Sequence, residues 1–96
     1  MSQLLLSYIK QLKRDSIVRK VPNISEENAE FLKQLILSKK PKHILEIGTA
    51  NGYSTLQFAS VISESATITT IEYAWNAHIE AVEHFKNCKT KNIHAI

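Results

Sequence analysis

Lys42-His43-Ile44-Leu45-Glu46-Ile47-Gly48-Thr49-Ala50-Asn51-Gly52-Tyr53-Ser54-Thr55 decides how this chain is read. The stretch reads as a buried apolar strand that ends beside a carboxylate, turns on two glycines and enters a helix through polar residues. In an α/β fold such a junction lies at the carboxyl end of a strand, where adenosine-bearing cofactors sit. Glu72 closes the next apolar run, so acids stand at two consecutive strand ends. That pair favours a ligand carrying hydroxyls and a positive charge.

Working outward, the periodicity changes on either side of this junction. Upstream, Leu5, Tyr8, Ile9 and Leu12 recur at helical spacing and predict a first helix over residues 2–14, ended by basic residues and Pro22. Ser25 is placed to cap a second helix, with Glu26 and Glu27 in its first turn and Ala29, Leu32, Leu35 and Ile36 as its apolar stripe. This helix is expected to stop before Pro41. Tyr8 and Phe31 are expected on core faces. Downstream, a strand over 43–47, a helix over 54–62, a strand over 67–71 and a helix over 76–87 lead to the opening of a third strand at 92–96. The order β-α-β-α-β with short links implies parallel strands and right-handed crossovers. The expected fold is α/β: half of a doubly wound sheet, preceded by two helices. The expected organisation is an amino-terminal helix and basic connector at 1–20, then a partial sheet domain at 21–96, truncated at its third strand.

Size and composition set outer bounds. With 96 residues and 44% apolar content, there is one modest domain, which buries roughly 60–65% of its extended-chain surface. Twelve basic against nine acidic residues leave a net charge of +3, with clusters at Lys10, Lys13, Arg14, Arg19, Lys20 and at Lys39, Lys40, Lys42. These clusters leave RNA open as a partner, although no aromatic side chains interleave with them. The single Cys88 has no internal disulfide partner and points to a reducing compartment. No stretch approaches the roughly 18 apolar residues of a membrane span. The first residues, Met1 to Leu6, lack the basic start of a signal peptide, so the expected location is cytoplasmic.

The glycine loop has its own chemistry. Gly48 lets a ligand approach where a Cβ would obstruct, and Gly52 permits a sharp turn with close packing. Free N–H groups at the helix start, Tyr53 or Ser54, suit an anionic group such as a carboxylate, and Ser54 adds a hydroxyl. Glu46 repels a pyrophosphate but attracts an ammonium or sulfonium. The spacing Gly48-x-x-x-Gly52 departs from the Gly-x-Gly-x-x-Gly of dinucleotide sites, and Gly52-Tyr53-Ser54 lacks the lysine of a P-loop. Glu72 is placed to accept both hydroxyl hydrogens of a ribose. Tyr73 and Trp75 are candidates for a wall against adenine. His43, His78, His84 and His94 show no metal-ligand spacing, Cys88 has no evident base beside it, and no catalytic residue is identified.

Leu45-Glu46-Ile47-Gly48-Thr49-Ala50-Asn51-Gly52-Tyr53-Ser54-Thr55-Leu56 resembles the first motif of the class I S-adenosylmethionine-dependent methyltransferases, most closely the catechol and caffeoyl-CoA type of O-methyltransferase. Thr70-Ile71-Glu72 resembles the second strand of that family with its ribose-binding acid, and 24–32 is similar to the helix leading into its domain. The likeness covers roughly residues 21–96, the amino-terminal portion of a Rossmann-like methyltransferase domain. It implies that Gly48, Ala50 and Gly52 line the loop beside S-adenosyl-L-methionine. Tyr53 and Ser54 would lie near the methionine carboxylate, with Glu46 arranging that end, Glu72 holding the ribose and Tyr73 beside adenine. Asn28 replaces a common glycine, and Ala74-Trp75-Asn76 lacks the Asp/Asn-Pro that usually follows the ribose acid.

In the family, the ligands for a divalent metal (Mg), the general-base lysine and much of the acceptor pocket come after the third strand. The resemblance therefore implies O-methyl transfer to a small hydroxylated acceptor by the full-length form, with this chain supplying the methyl-donor half-site alone. The transfer is an SN2-like attack of an acceptor oxygen on the sulfonium methyl. A tRNA methyltransferase fragment is a variant of this reading, and a non-catalytic cofactor-binding or interaction module, including a homodimer paired through the open sheet edge, is its alternative.

Overall fold

Alternating side-chain environments and helical stripes assemble into the order α1 (Gln3–Arg19), α2 (Glu26–Lys39), β1 (His43–Ile47), α3 (Tyr53–Ala59), β2 (Thr67–Ile71), α4 (Trp75–Asn87) and β3 (Ile93–Ala95). The structure, a computed structural model, describes residues 3–96; the expected helix start at Ser2, and Met1 of the leader reading, lie outside the described residues. The strands form a parallel sheet in the order β1-β2-β3, with Ile44 opposite Ile68, Glu46 opposite Thr70, and Ile68 opposite Ile93. A helix occupies each crossover. This is the α/β half-sheet preceded by two helices that the periodicity predicts.

The core gathers on one face of that sheet. Ile9 and Leu12 of α1, Ala29 of α2, Tyr53 and Leu56 of α3, and Ala81 and Phe85 of α4 form one buried cluster. Ile68 and Thr70 are fully buried on the same face. The amino-terminal helix thus shares its core with the sheet segment.

Four expectations are corrected. Helix α1 runs to Arg19, five residues past the expected end. Its buried positions Ile9, Leu12 and Ser16 keep helical spacing, while the basic side chains are good helix formers on the exposed face. The stop comes instead at Lys20, whose φ of 58° is left-handed, with the Val21 N–H closing onto the Ser16 carbonyl just before Pro22. Helix α3 ends at Ala59, short of the expected Ile62, where the Ser60 hydroxyl donates to the Gln57 carbonyl. Strand β1 is not buried on both faces: Leu45 and Ile47 are 65% and 73% exposed, on the side of the sheet opposite the core. Phe31 is 67% exposed, so the apolar side of α2 extends past what the described residues cover. Tyr8, by contrast, packs on the core and bonds His84 Nδ1 through its hydroxyl at 2.6 Å.

The α2 boundaries follow their signals. Ser25 Oγ accepts from the Asn28 N–H at 3.0 Å, and Lys40 adopts the left-handed conformation ahead of Pro41. Among the described residues, no helix is long and apolar enough to cross a membrane. Because Leu12 is buried in the shared cluster, Leu12→Ala should cost about 2–5 kcal/mol of unfolding free energy. Phe31→Ala should cost less than about 0.5 kcal/mol. Urea denaturation of both variants checks the contrast.

Candidate methyl-donor site

The β1–α3 loop is built from left-handed residues. Gly48, Ala50 and Gly52 have φ of 94°, 50° and 95°. The Gly48 and Thr49 N–H groups both bond the Ile71 carbonyl, at 2.7 and 3.3 Å, which ties the loop to the end of β2. A Cβ at Gly48 would meet nothing within 4 Å, so its surroundings are open. A Cβ at Gly52 would stand 2.8 Å from the Phe85 ring, so Gly52 is where α3 and α4 pack closely.

Glu46 sits beneath this loop and gathers hydroxyls. Its carboxylate accepts from Ser54 Oγ at 2.5 Å, from Thr55 Oγ1 and from Thr70 Oγ1 at 2.7 Å. Because Thr70 donates to Glu46, the 2.6 Å contact between Thr49 and Thr70 has Thr49 as donor. The proton chain therefore runs Thr49 to Thr70 to Glu46. It joins β1, β2, the loop and α3 around one carboxylate, with Thr49, Thr55 and Thr70 all buried.

Glu72 lies across the loop at the end of β2. Its Oε1 accepts from the Ala50 N–H at 2.7 Å and its Oε2 from the Ala74 N–H at 2.9 Å. These backbone donors, Ala74 first, hold its carboxyl below the usual carboxylate range. The group is thus ionised at neutral pH and acceptor-only, with lone pairs left for further donors. Two grooves open at the loop. One, of about 440 Å³, runs along Ala50, Glu72, Asn76 and Pro22. The other, of about 400 Å³, runs from Glu46, Gly48 and Ser54 between β1 and α2.

The structure brings Glu46, Gly48, Ala50, Gly52, Ser54 and Glu72 together around one loop. Tyr53 stands apart. Its side chain is buried on the opposite side, under α1, with the Lys13 ammonium 4.8 Å from its ring centroid and its hydroxyl accepting from Gln57. Its N–H is also taken, by Asn51 Oδ1 at 3.3 Å, which corrects the expectation of a free donor there. Ser54 spends its hydroxyl on Glu46. Tyr73 is fully exposed, and Trp75 stacks on His78 with ring centroids 5.7 Å apart. His43 bonds Thr67 Oγ1 at the sheet edge, while burial pushes the Cys88 thiol up. Among the described residues, no three His, Cys, Asp or Glu side chains are grouped to hold a metal.

The threonines that serve Glu46 escaped sequence reading. Their signal is a threonine, Thr70, at an inward position of β2, and another, Thr55, in the first turn of α3. The glycines give a sharper test of the geometry. Gly52→Ala combines a left-handed φ with the Phe85 clash and should cost more than about 2 kcal/mol, whereas Gly48→Ala, strained only in φ, should cost about 1 kcal/mol. Thermal melts of the two variants compare them.

Known proteins place this geometry. The O-methyltransferase family profile matches residues 1–94. A Staphylococcus aureus protein assigned as a caffeoyl-CoA O-methyltransferase is 35% identical, with a TM-score of 0.86 over 92% of this chain and 42% of its own. The O-methyltransferase of Bacillus cereus, solved with S-adenosylhomocysteine, superposes with a TM-score of 0.82 at 22% identity, over 94% of this chain and 42% of its own. A methyltransferase from Podospora anserina, also solved with S-adenosylhomocysteine, gives 0.79 at 24% identity, over 100% of this chain and 42% of its own. The chain therefore spans less than half the length of these relatives. With the profile matched along nearly its whole length, this chain belongs to the O-methyltransferase family.

Proposed function

We propose that this chain forms the methyl-donor half-site of an S-adenosylmethionine-dependent methyltransferase. The carrying observation is Glu72, an ionised carboxylate fixed by two backbone N–H groups beside a loop that is open at Gly48. A carboxylate so placed accepts from the two hydroxyls of a ribose, and the space that a Cβ at Gly48 would fill suits the sugar or the thioether chain. Glu46 adds negative charge beneath the loop, which favours a sulfonium over a phosphate. Relatives solved with S-adenosylhomocysteine share the fold, which supports the cofactor assignment.

In this reading the bound cofactor supplies an electrophilic sulfonium methyl. The chain's own residues bind and orient: Glu72 at the ribose, Gly48, Ala50 and Gly52 along the loop, and Tyr73 beside adenine. Glu46, already committed to three hydroxyls, holds the loop's shape and contributes charge. Ser54 and Tyr53 contribute through the first turn of α3 rather than through free side chains. Residues 21–96 carry these groups, and Gln3–Arg19 supplies the helix packed beneath them.

The acceptor reading is O-methyl transfer to a small hydroxylated molecule by a longer form. The described residues do not fit a divalent metal, so no step is routed through one. The basic amino-terminal cluster is partly spent internally: Arg19 pairs with Glu80 and Asp15, and Lys13 bonds the Ile24 carbonyl. This weighs against an RNA acceptor. The open apolar sheet face at Leu45 and Ile47 favours a second reading in which a second copy covers it, checked by concentration-dependent mass in sedimentation.

Calorimetric titration with S-adenosylhomocysteine tests the donor site. Saturable binding is expected, weakened at least tenfold by Glu72→Ala, as befits loss of charged hydrogen bonds of about 1.5–3 kcal/mol, with no response to NAD. Glu72 has a lowered pKa, so the affinity should stay level from about pH 8 to pH 5 and fall only as acid protonates the carboxyl. A folded chain without binding, or a Glu72→Ala variant that binds as tightly, contradicts the proposal.

A further inference from the structure

Asn51 turns its side chain inward from the donor loop and is buried. Its Nδ2 donates to Ser16 Oγ at 2.7 Å, 35 positions away in α1. Its Oδ1 accepts from the Tyr53 N–H at 3.3 Å and from Asn23 Nδ2 at 3.1 Å, the latter in the connector between α1 and α2. Ser16 is itself buried, and its hydroxyl proton is committed to the Leu12 carbonyl at 2.7 Å. Ser16 Oγ therefore only accepts from Asn51, which fixes the orientation of the Asn51 amide. The Val21 N–H bond to the Ser16 carbonyl sets the connector's departure at the same point. One amide thus joins the donor loop, the carboxyl-terminal turn of α1 and the connector.

The residue before Asn51 shows what this junction holds. Ala50 keeps a left-handed φ of 50°, a conformation costing a non-glycine residue about 1–2 kcal/mol. In that conformation its N–H reaches Glu72 Oε1. The strained Ala50 thus stands between two anchors: Glu72 Oε1 on its own N–H, and the buried Asn51 side chain one residue on.

We infer that Asn51 is a positioning residue for donor binding: through Ser16 and Asn23 it makes the affinity of the Gly48–Gly52 loop depend on α1 and its connector. This rests on the donor-site reading for its ligand, and on hydrogen bonds alone for the tether. Neither Ser16 nor Asn23 belongs to the glycine motif, and both lie in the segment before the first strand.

The test uses the 96-residue chain with Ser16→Ala, Asn51→Ala, both together, and Ile9→Val as a packing control in the same helix. Affinity for S-adenosylhomocysteine should fall about fivefold in Ser16→Ala and at least as far in Asn51→Ala. The double variant should bind no more weakly than Asn51→Ala, because the second change removes a link already cut. Ile9→Val should lower the melting temperature without changing affinity. Unchanged affinity in both single variants, additive losses, or an equal loss in Ile9→Val overturns the inference. If the unaltered chain does not bind, the donor-site reading fails, and the tether is decided by amide hydrogen exchange. Faster exchange at Ala50 and Tyr53 in Ser16→Ala than in Ile9→Val supports it; equal exchange overturns it.

Discussion

A carboxylate that accepts three hydroxyl hydrogen bonds holds this small fold together at the carboxyl ends of β1 and β2. Glu46 draws Ser54, Thr55 and Thr70 onto its two oxygens, and through Thr70 it also holds Thr49. A half-buried charge is costly unless its lone pairs are met; here the partners come from β2 and α3, and the loop between β1 and α3 is held through Thr70. Strand end, loop and helix start therefore cannot move independently. The backbone bonds from Gly48 and Thr49 to the Ile71 carbonyl reinforce the same junction.

That junction also fixes the position of the second carboxylate. Glu72 follows Ile71, whose carbonyl anchors the loop, and its own oxygens are met by the N–H groups of Ala50 and Ala74. These backbone donors stabilise the ionised form while leaving acceptor capacity toward the groove along Asn76 and Pro22. The two acids differ in setting. Glu46 is turned onto the hydroxyls that shape the loop, whereas Glu72 lines the groove along Asn76 and Pro22. The amino-terminal helix enters through packing at Ile9 and Leu12 and through Ser16 beneath Asn51.

The order of elements was legible because each carries a local signal: Ser25 and Pro41 around α2, the glycines around the β1–α3 turn, and β-branched residues in β2. What escaped was set by distant partners. The end of α1 lies beyond the expected one because a basic surface says nothing about helix length, whereas burial of Ser16 under the loop carries the helix onward. Phe31 and Leu45 have the apolarity of core residues, and periodicity identifies an apolar face without showing what covers it. The left-handed Ala50 carries no glycine or asparagine signal. Asn51 carries no local signal, since its partners lie 28 and 35 positions away. The family motif was plain in the sequence; the tether beneath it needed coordinates.

The claim that matters most is that these residues form one donor pocket within this chain. Titrating ¹⁵N-labelled protein with S-adenosylhomocysteine, and following amide shifts residue by residue, addresses it directly. The expected result is a saturable set of changes confined to Gly48 through Gly52 and Glu72 through Ala74, with the far ends of α2 and α4 unmoved. Changes centred on the exposed sheet face at Leu45 and Ile47, or none at all in a folded chain, would contradict the account.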